Sequence, residues 1–102
     1  MTSGKVRSDS EGSSERFDEL VAALAGIRGE ETMRRFLRDL CTVAELDAMG
    51  QRLQVATLVE QTVPYAEISR RTGASTATVT RVAHWLRYGE GGYREVLKKG
   101  KR

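Results

Sequence analysis

The chain has one cysteine, one proline, one histidine and one tryptophan in 102 residues. A lone cysteine, Cys41, excludes an intrachain disulfide and a paired-cysteine metal site. Its apolar neighbours suggest a buried, inert thiol. A single proline, with no alternation of β-branched and aromatic residues, argues against a sheet and for an all-α chain. One histidine, one cysteine and scattered carboxylates assemble neither a base–nucleophile pair nor a metal set. No catalytic residue, metal ligand or cofactor is therefore nominated, and His84 reads as a surface residue. No apolar run is long enough to span a bilayer or to serve as a signal-peptide core, so a cytoplasmic protein without a membrane partner is expected.

Charge is present in quantity and is unevenly distributed. The net charge is +3, but residues 1–51 hold seven Lys/Arg against ten Asp/Glu, whereas residues 52–102 hold ten against four. The basic half ends in Lys98, Lys99, Lys101 and Arg102. Such asymmetry suits a polyanionic partner.

Periodicity divides the chain into six short helices. Residues 1–13 are Ser, Gly and charge with little to bury, and read as a disordered segment. Ser14 is placed to cap a first helix with Phe17, Leu20, Val21 and Leu24 inward, and Gly26 and Gly29 bracket its exit. A second runs from Glu30 to Leu40 with Met33, Phe36, Leu37 and Leu40 inward. Thr42 and Glu45 match a capping box, opening a long helix to about Gln61 with Leu46, Met49, Leu53, Ala56 and Val59 as its buried stripe. Pro64 breaks the chain. A last helix, Tyr93–Lys99, should bury Val96 and Leu97. The folded domain thus spans 14–97, with 98–102 a basic tail.

Between Pro64 and the last helix, YAEISRRTGASTATVTRVAHWLRY reads as a helix-turn-helix. Ile68, Val79 and Val82 fall where two short helices share a seam, and Ser69 is small enough for them to cross closely. Gly73 sits where the turn wants positive φ, and Ser75 where an N-cap belongs. Such a unit offers its second helix, Thr76–Tyr88, to the major groove of DNA. Arg70 and Arg71, flanking the turn, lie where phosphate would pass. An alternative is an adaptor domain using the motif for protein contacts without operator binding. That function calls for an apolar outer face, whereas this face offers Thr76, Thr80, Arg81, His84 and Arg87. So thin a core also predicts a homodimer.

From about Leu37 to Leu97 the chain resembles the tryptophan repressor family, in its YerC/YecD-type branch. The Thr42…Glu45 cap, Gly50-Gln51-Arg52, and the Gly73-Ala74…Ala77-Thr78-Val79-Thr80-Arg81 run carry that resemblance. It implies an intertwined all-α dimer that binds a two-fold operator on double-stranded DNA and regulates transcription as a repressor. By the same resemblance, Thr76, Ala77 and Thr80 touch the operator, while Tyr65, Ser69 and Gln51 touch phosphate. Ser75, at the cap, and Arg70 complete the DNA-facing set.

The resemblance also implies an effector pocket. The family holds tryptophan between two arginines, which match Arg52 and Arg81, and Thr42 matches a pocket threonine. Two small lining residues are replaced here by Val82 and Trp85, which should close or reshape the cavity. Free tryptophan is therefore not expected as co-repressor, the Trp85 indole taking part of its space, and any other small-molecule effector is left unspecified.

Overall fold

A computed structural model describes residues 11–100, and the side chains of residues 14–98. These residues form α1 (Glu11–Ala25), α2 (Glu30–Leu40), α3 (Val43–Glu60), α4 (Tyr65–Thr72), α5 (Thr76–Tyr88) and α6 (Gly92–Gly100), with no strand among them. The all-α expectation holds, and the bounds of α2, α4 and α5 are those the sequence predicts. The chain divides into two units, 1–40 and 41–102.

In the first unit, α1 begins at Glu11, so Ser14 lies inside its first turn rather than capping it. A helix can start earlier than its best capping residue when the residues ahead tolerate helical geometry, and Ser is only mildly unfavourable there. Residues 11–13, expected to be disordered, are thus helical, while residues 1–10 lie outside the described residues. The α2 helix carries Glu30 and Glu31 in its first turn and Arg38 in its last, each opposing the local end of the helix dipole. Ion pairs Glu30–Arg34 and Glu31–Arg35 bridge successive turns. No described side chain of residues 14–40 is buried. Phe17, Leu20, Val21 and Leu40, expected inward, are exposed, because two helices alone cannot cover both of their apolar stripes.

The second unit owns the core. Thr42 caps α3 with its Oγ1 accepting from the Glu45 amide at 3.0 Å, while the Glu45 carboxylate accepts from the Thr42 amide at 2.8 Å. Val55, Ala56 and Val59 of α3 pack with Ile68, Ala74, Val79, Val82, Ala83 and Leu86. The stripe expected along the whole of α3 is therefore buried only in its last turns. Met49 and Leu53 are exposed and Leu46 half-buried, since α4 and α5 cover only part of an 18-residue helix. Cys41 is half-buried rather than buried, for it precedes the cap and lies away from that core.

The exit of α3 has an unusual occupant. Val63 N–H donates to the Leu58 carbonyl at 3.0 Å, and Thr62 N–H to that of Val59 at 2.9 Å. This paired bonding closes a Schellman motif, whose left-handed position usually belongs to glycine. Here Thr62 takes it, with φ of 60°. A β-branched side chain is strained there, and Gly would relieve the strain while adding unfolded-state entropy. Thr62→Gly should stabilise the protein by about 0.5–1 kcal/mol, read as a higher midpoint in thermal denaturation; a lower midpoint would count against the strain.

At the far end, Gly89 closes α5 with its N–H on the Trp85 carbonyl at 2.9 Å. A Cβ on Gly89 would come within 2.4 Å of that carbonyl oxygen, so glycine is required by proximity although its φ is ordinary. Arg94 of α6 donates through Nε to the Leu86 carbonyl at 3.1 Å, satisfying an acceptor of the last turn of α5. Tyr93 and Leu97, one turn apart, pack on the core. Val96, expected to be buried, falls at the edge of that stripe and is 59% exposed.

Candidate nucleic-acid interface

The turn between α4 and α5 is built from side chains as much as from backbone. Ile68 and Val79 are fully buried and Val82 nearly so, forming the seam read from the sequence. Gly73 closes α4 with φ of 79° and donates to the Ser69 carbonyl at 2.9 Å. Thr72 Oγ1 donates to the Ile68 carbonyl at 2.8 Å and accepts from Ala74 N–H at 3.1 Å. Gln51 Nε2, from α3, donates to the Thr72 carbonyl at 3.2 Å. No bonding role for Thr72 or Ala74 is legible in the sequence, because their contacts depend on where the crossing places the turn.

Several residues nominated for DNA turn out to hold this turn. The Ser69 hydroxyl donates its one proton to the Ala74 carbonyl at 2.6 Å, so it cannot donate to a phosphate while that bond stands. Ser75 caps α5, its Oγ accepting from Thr78 N–H at 3.1 Å and donating to Thr78 Oγ1 at 3.1 Å. Gln51 is half-buried and spends one of its two amide protons on Thr72. Tyr65 is half-buried against the core. The bonds of Ser69, Ser75 and Gln51 brace the turn between α4 and α5.

The outward side of α5 differs. Thr76, Ala77, Thr80, Arg81, His84 and Arg87 are all exposed. Its first turn combines free backbone N–H groups, the positive end of the helix dipole and small hydroxyl or methyl side chains. That combination lets a helix end approach a base edge closely. Farther along, His84 meets Trp85 edge-on with ring centroids 5.2 Å apart, and Tyr88 at 5.2 Å in a tilted contact. Trp85 is 48% and Tyr88 71% exposed, so the second half of the face is aromatic.

Arg70 and Arg71 are engaged by an acid that the sequence reading passed over. Arg70 grips the Glu67 carboxylate through Nε, at 3.1 Å, and through Nη2. Arg71 Nε donates to the same carboxylate at 2.9 Å. The hydrogen bond from Arg70, then that from Arg71, lowers the Glu67 carboxyl from the ordinary 4.5 to about 2, and the Arg70 guanidinium is raised in return. The i, i+3 and i, i+4 spacings were visible in the sequence and could have flagged the trio.

Among the described residues, those matched to an effector pocket take separate places. Thr42 serves as the α3 cap, and Arg52 and Arg81 are exposed. Val82 is 2% exposed, so its bulk lies in the helix-turn-helix core instead of lining an open cavity. Two of the open clefts among the described residues lie in this unit. One, of about 350 Å³, is lined by Leu46, Asp47, Gly50, Gln51, Gln54 and Thr72. The other, of about 330 Å³, is lined by Glu60, Arg94, Glu95 and Lys98. None of the five matched residues lines either.

Residues 15–101 match the family model described as Trp repressor protein. The chain is 38% identical over 84 residues to YerC of Bacillus subtilis (strain 168), covering 82% of this chain and 81% of that protein. It is 44% identical over 55 residues to a Trp operon repressor homolog of Actinobacillus succinogenes, covering 53% of this chain and 54% of that one. Among solved structures, a TrpR like protein from Eubacterium eligens superposes with a TM-score of 0.78 at 33% identity, covering 83% of this chain and 88% of that one.

Proposed function

The chain belongs to the Trp repressor family, and we propose that it is a DNA-binding transcriptional regulator of repressor type. In this reading it binds a two-fold operator as a homodimer, with the first turn of α5 in the major groove. The observation that carries it is the exposure of Thr76, Ala77 and Thr80 on a helix whose opposite side, Val79, Val82 and Leu86, is buried. A helix so anchored can be pressed into a groove without losing its packing. Ala and Thr methyls suit a thymine methyl, and Thr hydroxyls suit phosphate or a bridging water.

The dimer accounts for what the single chain leaves uncovered. Phe17, Leu20, Val21, Leu40, Val43, Met49 and Leu53 are large apolar side chains in contact with solvent. Covering them with a second copy removes that penalty and sets two recognition helices on one duplex. The regulator would then act in the cytoplasm; among the described residues no helix is long and apolar enough to cross a membrane.

Tryptophan is not proposed as the co-repressor. Trp85 is bulkier than the small residue the family uses there, and its half-exposed indole would take part of the ligand's space in the dimer. Selection of bound fragments from the native genome should recover a small set of two-fold sequences, equally with and without tryptophan. Recovery of fragments with no shared sequence would sink the operator reading. Saturable micromolar binding of tryptophan in calorimetry would sink the effector reading.

The aromatic second half of α5 supports one other reading, a helix-turn-helix used for protein contacts alone. In that case Thr80→Ala would leave partner binding intact and no duplex would be selected.

A further inference from the structure

The helix-turn-helix segment, residues 65–88, contains four arginines and a single acid, Glu67. That acid is shared by two of the four. Arg70 presents its Nε/Nη2 edge to the carboxylate, and Arg71 adds its Nε at 2.9 Å. The two-nitrogen edge of a guanidinium is also the edge that grips a phosphate in bidentate fashion. In the α2 pairs, by contrast, Glu30 meets Arg34 and Glu31 meets Arg35 one to one.

We propose that Glu67 is an intramolecular stand-in for a DNA phosphate, a positioning residue that holds Arg70 and Arg71 on α4 and must yield one or both when the duplex binds. The inference rests on the DNA-binding reading and adds to it a residue that sets absolute affinity without reading sequence. The first helix of a helix-turn-helix crosses the DNA backbone, which brings the outer side of α4 against phosphate. With Glu67 in place the trio carries one net positive charge instead of two. A phosphate that takes the Arg70 edge displaces the carboxylate and then lies beside it, like charge against like. The exchange is easy because the two cations are exposed, with 70% of the Arg70 side chain and 49% of the Arg71 side chain open to solvent beside a half-buried Glu67. Exposed pairs of this kind are weak, so the effect should be moderate. Because the acid acts on phosphate contacts only, every sequence should feel it alike.

The test compares wild type, Glu67→Gln, Glu67→Asp and Glu31→Gln by fluorescence anisotropy, on a selected duplex and a random one, across a salt series. Glu67→Gln should tighten both duplexes by the same factor, about two- to five-fold, and steepen the salt dependence by about 0.9 for each phosphate recruited. Glu67→Asp should stay near wild type. Glu31→Gln, which changes net charge equally on a different helix, should gain much less. In an Arg70→Gln/Arg71→Gln background the gain from Glu67→Gln should vanish, with circular dichroism confirming that each variant folds. A gain no larger than that of Glu31→Gln, a loss of affinity, or a gain that survives without the two arginines overturns the proposal. If wild type binds no duplex at any salt, the DNA-binding reading fails and takes this one with it. If wild type binds and Glu67→Gln is unchanged, only the role of Glu67 falls.

Discussion

Raising salt from about 50 to 200 mM should weaken operator binding by about a thousand-fold, if each dimer neutralises roughly six phosphates. The expectation follows from where the charge lies. Residues 52–102 carry ten Lys/Arg against four Asp/Glu, and Arg70, Arg71, Arg81 and Arg87 are exposed on α4 and α5. Each lysine or arginine that meets a phosphate releases a condensed counterion, and that release is driven less strongly as salt rises. Anisotropy titrations at five or six salt concentrations would give the slope directly. A flat dependence would mean that the basic half of the chain faces something other than a polyanion, and the adaptor reading would take precedence. Thr80→Ala should shift sequence preference while leaving the slope unchanged, since a hydroxyl contributes no counterion.

The second large effect concerns the core. Ile68→Ala should destabilise the fold by about 2–5 kcal/mol and abolish DNA binding. Ile68 is fully buried at the centre of α4, among Val55, Ala56, Val59, Val79 and Val82. Its removal takes away the lost transfer energy and opens a cavity that alanines and valines nearby are too short to fill. The total stability of a domain is only about 5–15 kcal/mol, so one such cavity is a large fraction. The α4–α5 angle depends on the same side chain, and with it the presentation of Thr76, Ala77 and Thr80. Urea denaturation compared with Ile68→Val would measure the loss; a midpoint close to wild type would show that Ile68 does not carry the seam.

Local sequence signals succeeded at most places where the physics was local, the Ser14 cap being the exception. The Thr42–Glu45 capping box, the Ser75 cap, the positive φ of Gly73 and the break at Pro64 each depend on residues within a few positions. The bounds of α4 and α5 followed from them. The seam of Ile68, Val79 and Val82 was legible for the same reason, since the motif fixes its own spacing. Helical periodicity also identified the apolar stripes of α1, α2 and α3. It could not say which parts of those stripes would be covered, and Met49, Leu53 and Leu40 remain exposed, as does Val96 on α6. Periodicity reports which side of a helix is apolar, whereas burial depends on how far a neighbour extends along it.

The site divides in the same way. The amino-acid sequence by itself determined an all-α chain, a helix-turn-helix at 65–88, a basic half that contains it, and Thr76, Ala77 and Thr80 at the start of its second helix. Only the tertiary structure decided which hydroxyls and amides are already engaged. Ser69 is bonded to the Ala74 carbonyl and Gln51 to that of Thr72, whereas the pairing of Arg70 and Arg71 with Glu67 follows from helical spacing alone. A residue type announces which bonds it can make, but its partner is set by distance, and distance between Gln51 and Thr72 exists only after α3 and α4 have packed. The helix-turn-helix was therefore readable as a motif, and its division into residues that hold the turn and residues that face outward was not.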